Sequence, residues 1–318
     1  MSLFRRALRI FLLICGVLAG MITVITAIFA RFLIKPPRRR LWMTPADLGL
    51  PFEEVHFPAR DGLRLSGWFI PRKRATKRGT DTTVIMVHGC PWNRLGLATE
   101  NILNDIPGSA PLDLIHLTHA LHTAGYNVFM YDMRNHGQSA AAGPVTFGLN
   151  EANDLLGAVD YLSGRDDIDS GRLGVVGFSS GANAVLYALP HTDQLKAAVA
   201  AQPTSPRVFA ARYAQWLLGP LGVPVYWLVE LIYQMVSGMR LNAIEPIFAA
   251  AGAGKTPVLF VQGLGDPWGA VKNVAEMAAA TPLSIEPIFV ESNGRFGGYK
   301  YVIDHPEVVA AFFRNQIG

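Results

Sequence analysis

Cysteine is nearly absent from this 318-residue chain, which has two, Cys15 and Cys90. Cys15 falls within a long apolar run, so no internal disulfide can form and the pair identifies no redox compartment. Paired cysteines and an HExxH pattern are both missing, which removes the common signatures of a zinc site. His116, His119 and His122 are spaced by three, but each such step turns a helix by about 300°, so the outer two diverge and the set reads as a polar helix face. No sequence pattern calls for a cofactor. Charge is scarce too: 16% of residues are charged against 50% hydrophobic, a balance that suggests part of the chain faces lipid. Internal repeats and long low-complexity tracts are also lacking.

The apolar excess is concentrated at the start. Residues 10–30 run for 21 residues without a charge, about 31 Å as a helix, which matches the hydrocarbon core of a bilayer. Arg5, Arg6 and Arg9 precede the run, while Arg31, Lys35, Arg38, Arg39 and Arg40 follow it, so both ends can meet phosphate headgroups. A cleaved signal peptide is the competing reading. Against it, the run exceeds the usual signal core, and Ile28 stands where a small residue would precede cleavage. Cys15 does not read as a lipoprotein cysteine, because Ile14 precedes it and too little apolar chain lies upstream. Residues 1–40 are therefore expected to be a single-pass membrane anchor, its charge bias favouring a cytoplasmic main domain. The remaining chain holds 20 Lys and Arg against 24 Asp and Glu. The basic balance belongs to the anchor, and a nucleic-acid partner loses its main support.

A Pro- and Arg-rich linker at 35–51 leads to a hairpin, 55–58 and 63–70, closed around Asp61 and Gly62. Apolar runs at 83–87, 127–131, 172–176, 197–201, 257–261 and 285–290 then alternate with stretches long enough for helices. That rhythm predicts an α/β domain over 41–318 with a mostly parallel twisted sheet covered on both faces. An inserted helical cap is expected at about 204–250. Within it, Gly219, Pro220, Gly222 and Pro224 should divide an apolar stretch into two helices rather than one span. The basic run at 72–78 lies in a predicted hairpin loop, near enough to the anchor to touch anionic lipid.

Gly177-Phe178-Ser179-Ser180-Gly181 joins a predicted strand to a predicted helix. On such a turn a serine is pushed clear of the sheet, and the helix N-terminus favours developing negative charge. Upstream, Val84-Ile85-Met86-Val87-His88-Gly89-Cys90-Pro91-Trp92 ends a strand in a His-Gly turn. With these two motifs the chain resembles the α/β-hydrolase family, and Asp132-Met133-Arg134-Asn135-His136-Gly137-Gln138-Ser139 is similar to the turn that follows the next strand there. The resemblance covers residues 52–318. It implies Ser179 as nucleophile, with Cys90 and Ser180 supplying oxyanion-hole N–H donors and their side chains incidental to that role. His88 reads as turn-stabilising, and Asp132, Arg134 and His136 as a structural loop.

A serine nucleophile needs a base and an orienting carboxylate. Asp266 follows the strand at 257–261, where the family carries its acid. The loop after the last strand, 291–299, contains no histidine, although the family usually places its base there. His305 is the candidate downstream. It could reach Ser179 and Asp266 if the loop folds back on Gly294, Gly297 and Gly298, or it could simply neighbour the cap of the closing helix. The resemblance implies a serine hydrolase, and with the anchor read from the apolar run the expectation is a membrane-anchored enzyme cleaving an ester-type bond of a small-molecule or lipid-like acyl substrate, with peptidase or thioesterase activity as variants. The missing loop histidine keeps a different reading open: a hydrolase-fold binding or scaffold protein with impaired turnover.

Overall fold

Short apolar runs that alternate between two cores build the sheet. In β3 (Thr83–Val87), Val84 and Met86 face one core while Ile85 and Val87 face the other. The same alternation recurs in β4 (Asn127–Asp132), β5 (Leu173–Phe178), β6 (Leu195–Ala201) and β7 (Val258–Gly263). Strands covered on both sides have no polar face, hence the continuous apolar sequence. The computed structural model describes residues 2–72, 81–98 and 105–318; the basic run beyond Arg72 lies outside them.

Eight strands form one sheet in the order β1-β2-β4-β3-β5-β6-β7-β8, where β1 is Glu53–Pro58, β2 Arg64–Ile70 and β8 Ser284–Val290. The β1–β2 hairpin lies antiparallel beside β4, and every later pairing is parallel. Helices α2 (Leu114–Thr123), α9 (Gly297–Asp304) and α10 (Pro306–Ile317) bury residues in one core. On the opposite face lie α3 (Ala152–Ser163), α4 (Ser180–Ala188), α7 (Pro246–Ala251) and α8 (Val271–Ala280). In α2, His116 meets Asp113, whereas His122 is buried with Nε2 against the Pro71 carbonyl. That corrects the polar-face reading for one of its three histidines.

Between β6 and β7 the chain makes α5 (Pro206–Leu218), a single 3-10 turn at Gly219–Leu221, and α6 (Gly222–Ser237). A side chain at Gly222 would come within 2.3 Å of the Ala214 carbonyl, so the glycine lets α6 close tightly onto α5. Their buried face holds Ala210, Tyr213, Val225, Val229 and Tyr233.

The N-terminal helix α1, Ser2–Ile34, is long and apolar enough to cross a membrane. Most of its apolar side chains are exposed, but Phe29, Ala30 and Leu33 pack into the cap cluster. Arg39 is buried too, donating to the Pro91 and Ala98 carbonyls and pairing with Asp105 at 2.8 Å. The segment is thus not a separable tether along its whole length. Removing residues 1–20 is expected to leave the melting temperature unchanged. Removing 1–40 is expected to cost about 3 kcal/mol or more from Phe29 and Leu33 alone. Equal melting of the two truncations would refute this.

Candidate active site

The register of Val87 opposite Gly177 sets the turn after β3 beside the turn after β5. Ser179 sits on the second turn at φ +53° and ψ −120°, a backbone conformation rarely held by a residue with a side chain. Two contacts fix it: its N–H donates to the Ala201 carbonyl at 2.9 Å, and its own carbonyl accepts from Asn183 N–H at 3.0 Å. A Cβ at Gly181 would lie 2.4 Å from the His88 carbonyl, which explains the small residue two places after the serine. Ser179 opens into a cavity of about 60 Å³ lined mainly by apolar groups, among them Phe147, Phe209, Trp268 and Phe296.

Cys90 N–H, expected to serve as an oxyanion donor, donates to Ser180 Oγ at 2.9 Å. The Ser180 side chain is therefore not incidental: it occupies that donor. Burial, aided by Glu151, raises the Cys90 thiol pKa well above its usual range, so the sulfur stays protonated.

His88 holds the turn. Its Nε2 accepts from Met133 N–H at 3.0 Å, which leaves Nδ1 to donate to the Gly89 carbonyl at 2.8 Å. Burial, with the neighbouring His136 adding to it, pushes its pKa down to about 3 from 6.5. The unfolded chain then binds a proton between those values that the folded chain refuses. Stability should therefore fall as pH drops from about 6.5 towards 3, by up to ~1.4 kcal/mol per pH unit from this ring. His88→Gln should flatten that slope in pH-dependent melting; an unchanged slope would assign it to other groups. The neighbouring loop consists of ion pairs: Asp132 with Arg94 at 2.7 Å, and Arg134 with Asp154 at 2.7 Å.

Asp266 stands after β7, its Oδ1 accepting from Trp268 and Gly269 N–H groups, each at 2.9 Å. Its Oδ2 receives Arg295 Nη1 at 2.5 Å. Arg295 Nη2 in turn donates to Ser179 Oγ at 3.3 Å. The sequence of contacts is acid, guanidinium, serine. Arg295 comes from the loop between β8 and α9, where the resemblance implies a histidine, and its side chain is 4% exposed. Its guanidinium also lies over the Tyr299 ring at 5.2 Å from the centroid.

His305 is not in this site, and its expected role as base is corrected. Its ring is half-exposed, bonds Glu307 at 3.1 Å and rests on Tyr301. The loop does not fold back because residues 297–304 form helix α9, which carries His305 to the junction with α10. The glycines serve close packing instead: a Cβ at Gly298 would lie 2.3 Å from Gln202 Oε1. His305→Ala is accordingly expected to leave turnover and melting nearly unchanged, within about 0.5 kcal/mol for stability.

Three residues unnoticed in the sequence complete the site. Gln202 clamps the loop: its Nε2 donates to the Arg295 carbonyl at 2.6 Å, while its Oε1 accepts from Gly298 and Gly263 N–H groups at 2.7 and 3.1 Å. Tyr299 is buried beside Ser179 and Gln202, and burial raises its pKa against the opposing charge of Arg295. Its hydroxyl finds no hydrogen-bond partner among the described residues. Arg295 itself cannot take a proton. Burial works against its charge, but the Asp266 carboxylate and the neighbouring Tyr299 together outweigh burial and lift its pKa above the ordinary guanidinium value. Among the described residues no group of three or more metal-ligating side chains gathers.

The fold, with a strained strand-to-helix turn at Ser179, places this protein in the α/β-hydrolase class. Residues 115–284 match the prolyl oligopeptidase family, and the chain belongs to it. The matched segment contains Ser179 and Asp266 and ends before Arg295. YfhR of Salmonella typhi is 35% identical over 148 residues, 46% of this chain and 42% of that protein. WAV2 of Arabidopsis thaliana, an alpha/beta hydrolase domain-containing protein, is 27% identical over 229 residues, 70% of this chain and 65% of the other. The chain thus spans less than half the length of YfhR in that match. Among solved structures, the esterase Pf2001 of Pyrococcus furiosus superposes with a TM-score of 0.67 at 24% identity, covering 90% of this chain and 99% of the esterase. An acylaminoacyl peptidase of Pyrococcus horikoshii gives 0.59 at 15% identity, over 84% of this chain and 42% of that one. At such identities the likeness establishes the fold, and family and fold together support a hydrolase of the serine type.

Proposed function

We propose that this chain is a membrane-tethered serine hydrolase-fold protein that binds an ester-type acyl substrate at Ser179 and turns it over far more slowly than a complete triad would. The observation that carries the reading is Arg295 between Asp266 and Ser179. The guanidinium can polarise or orient a bound carbonyl, but it cannot remove the serine proton or later return one to a leaving group. A nucleophile without its base loses several orders of magnitude in acylation. The apolar lining of the pocket favours an acyl group, and the exposed apolar helix α1 favours a membrane location.

A competing reading is full ester hydrolysis through a Ser179 acyl-enzyme. It draws on the strained elbow and on family membership. One experiment separates the two: turnover of p-nitrophenyl esters by the full chain and by Ser179→Ala. The slow-turnover reading expects the two rates to lie within about tenfold of each other. A Ser179-dependent rate a thousandfold or so above that variant would replace it with the full hydrolase.

A further inference from the structure

The cavity at Ser179 has room for only about four or five waters at its volume of about 60 Å³. A carbonyl and its first substituents fit; a long acyl chain must leave. A second, larger groove of about 660 Å³ runs between α1 and α5, lined by Ile28, Phe29, Leu217 and Leu218. It adjoins the serine cavity, with Phe32, Leu33 and Ile106 lining both. We propose that this groove is the seat of one acyl chain of a bilayer glycerolipid, entering sideways from the membrane with its ester carbonyl end directed to Ser179. The inference rests on the acyl-binding reading above.

Three observations commit the groove to a bilayer lipid. Its α1 wall spans residues 25–33 and so straddles the end of the uncharged run, where Arg31 lines the rim. That is the depth at which a bilayer passes from acyl chains to headgroups, and where a glycerolipid keeps its ester carbonyls. Apolar exposure continues across the adjoining cap: Trp216 and Leu217 on α5, and Trp227, Leu231, Met235 and Val236 on α6, all face outwards. A patch of this kind beside a bilayer-length helix marks a lipid-facing surface. Finally, α1 packs on α6, so the helix assigned to the bilayer is in direct contact with the helical pair beside the serine cavity.

The test uses the full chain in nanodiscs of phosphatidylcholine doped with two photoreactive phosphatidylcholines. One carries its diazirine at the acyl-chain terminus, the other beside the ester carbonyl. The terminal probe should label peptides carrying residues 25–33 or 213–218, and the carbonyl probe should label pocket peptides containing Phe209 or Phe296. Ile28→Trp with Leu217→Trp fills the groove from two exposed positions, so folding is spared, and should lower terminal labelling about tenfold. Terminal labelling confined to the outer face of α6, or undiminished in the double variant with melting intact, overturns the groove. Groove labelling without pocket labelling overturns the delivery of the carbonyl to Ser179, whereas failure of the acyl-binding reading itself is read separately, from the p-nitrophenyl ester rates.

Discussion

Arg295→His is expected to raise ester turnover by about two to four orders of magnitude, the usual contribution of a positioned general base. An acid and a serine stand on either side of this position, as an imidazole base would require. Asp266 offers Oδ2 on one side, with Oδ1 held by two backbone N–H groups, and Ser179 Oγ stands on the other side. A histidine there would give Nδ1–H to the carboxylate and present Nε2 to the serine, the relation in which an acid fixes the tautomer of a base. Gln202 still clamps the loop through backbone atoms, so the substitution does not cost the loop its anchor. The gain must vanish in Arg295→His combined with Ser179→Ala, and Arg295→Ala must not produce it. Should Arg295→His stay silent, the obstacle would be the oxyanion donor of Cys90, occupied by Ser180 Oγ. Adding Ser180→Ala then distinguishes a blocked hole from a serine that never acts.

The parts of this molecule that were legible in its sequence are those set by one local cause. Strands β3 to β7 declare themselves because burial on both faces leaves no polar residue to interrupt them, and the run at 83–87 coincides with β3. The break of the cap at Gly219–Leu221 follows from glycine and proline chemistry at that point. The elbow is visible because its glycines meet fixed backbone close by, Gly177 within the turn itself and Gly181 at the end of β3. Helix α9 was not legible: Gly297 and Gly298 open it, and both are poor helix formers. What makes it a helix is tertiary, the fit of Gly298 against Gln202 and of Tyr299 into the core. Arg295 was hidden for a related reason. An arginine in a glycine-rich loop reads as solvated, and its partners lie 29 and 116 residues away in the chain. The signal that could have exposed it was the loop position itself, since a residue filling the place of a base inherits the neighbours of that base.

Those neighbours make the Asp266–Arg295 pair a buried ion pair on which the fold depends. Asp266→Asn keeps an oxygen to accept from Trp268 and Gly269 N–H groups but removes the charge opposite a guanidinium that is itself almost wholly buried. An uncompensated buried charge is costly, and the variant is expected to lose about 3–5 kcal/mol of stability. Arg295→Met should cost less, because the carboxylate it leaves behind retains two backbone donors. The double variant should be more stable than the sum of the singles predicts, by about 1–3 kcal/mol, since neither unpaired charge remains. Melting of the four proteins in one detergent measures the coupling. Additive losses would mean that the two groups do not sense each other. The pair would then have no claim to be what closes the site, and Arg295 would be free to move away and admit another base to Ser179.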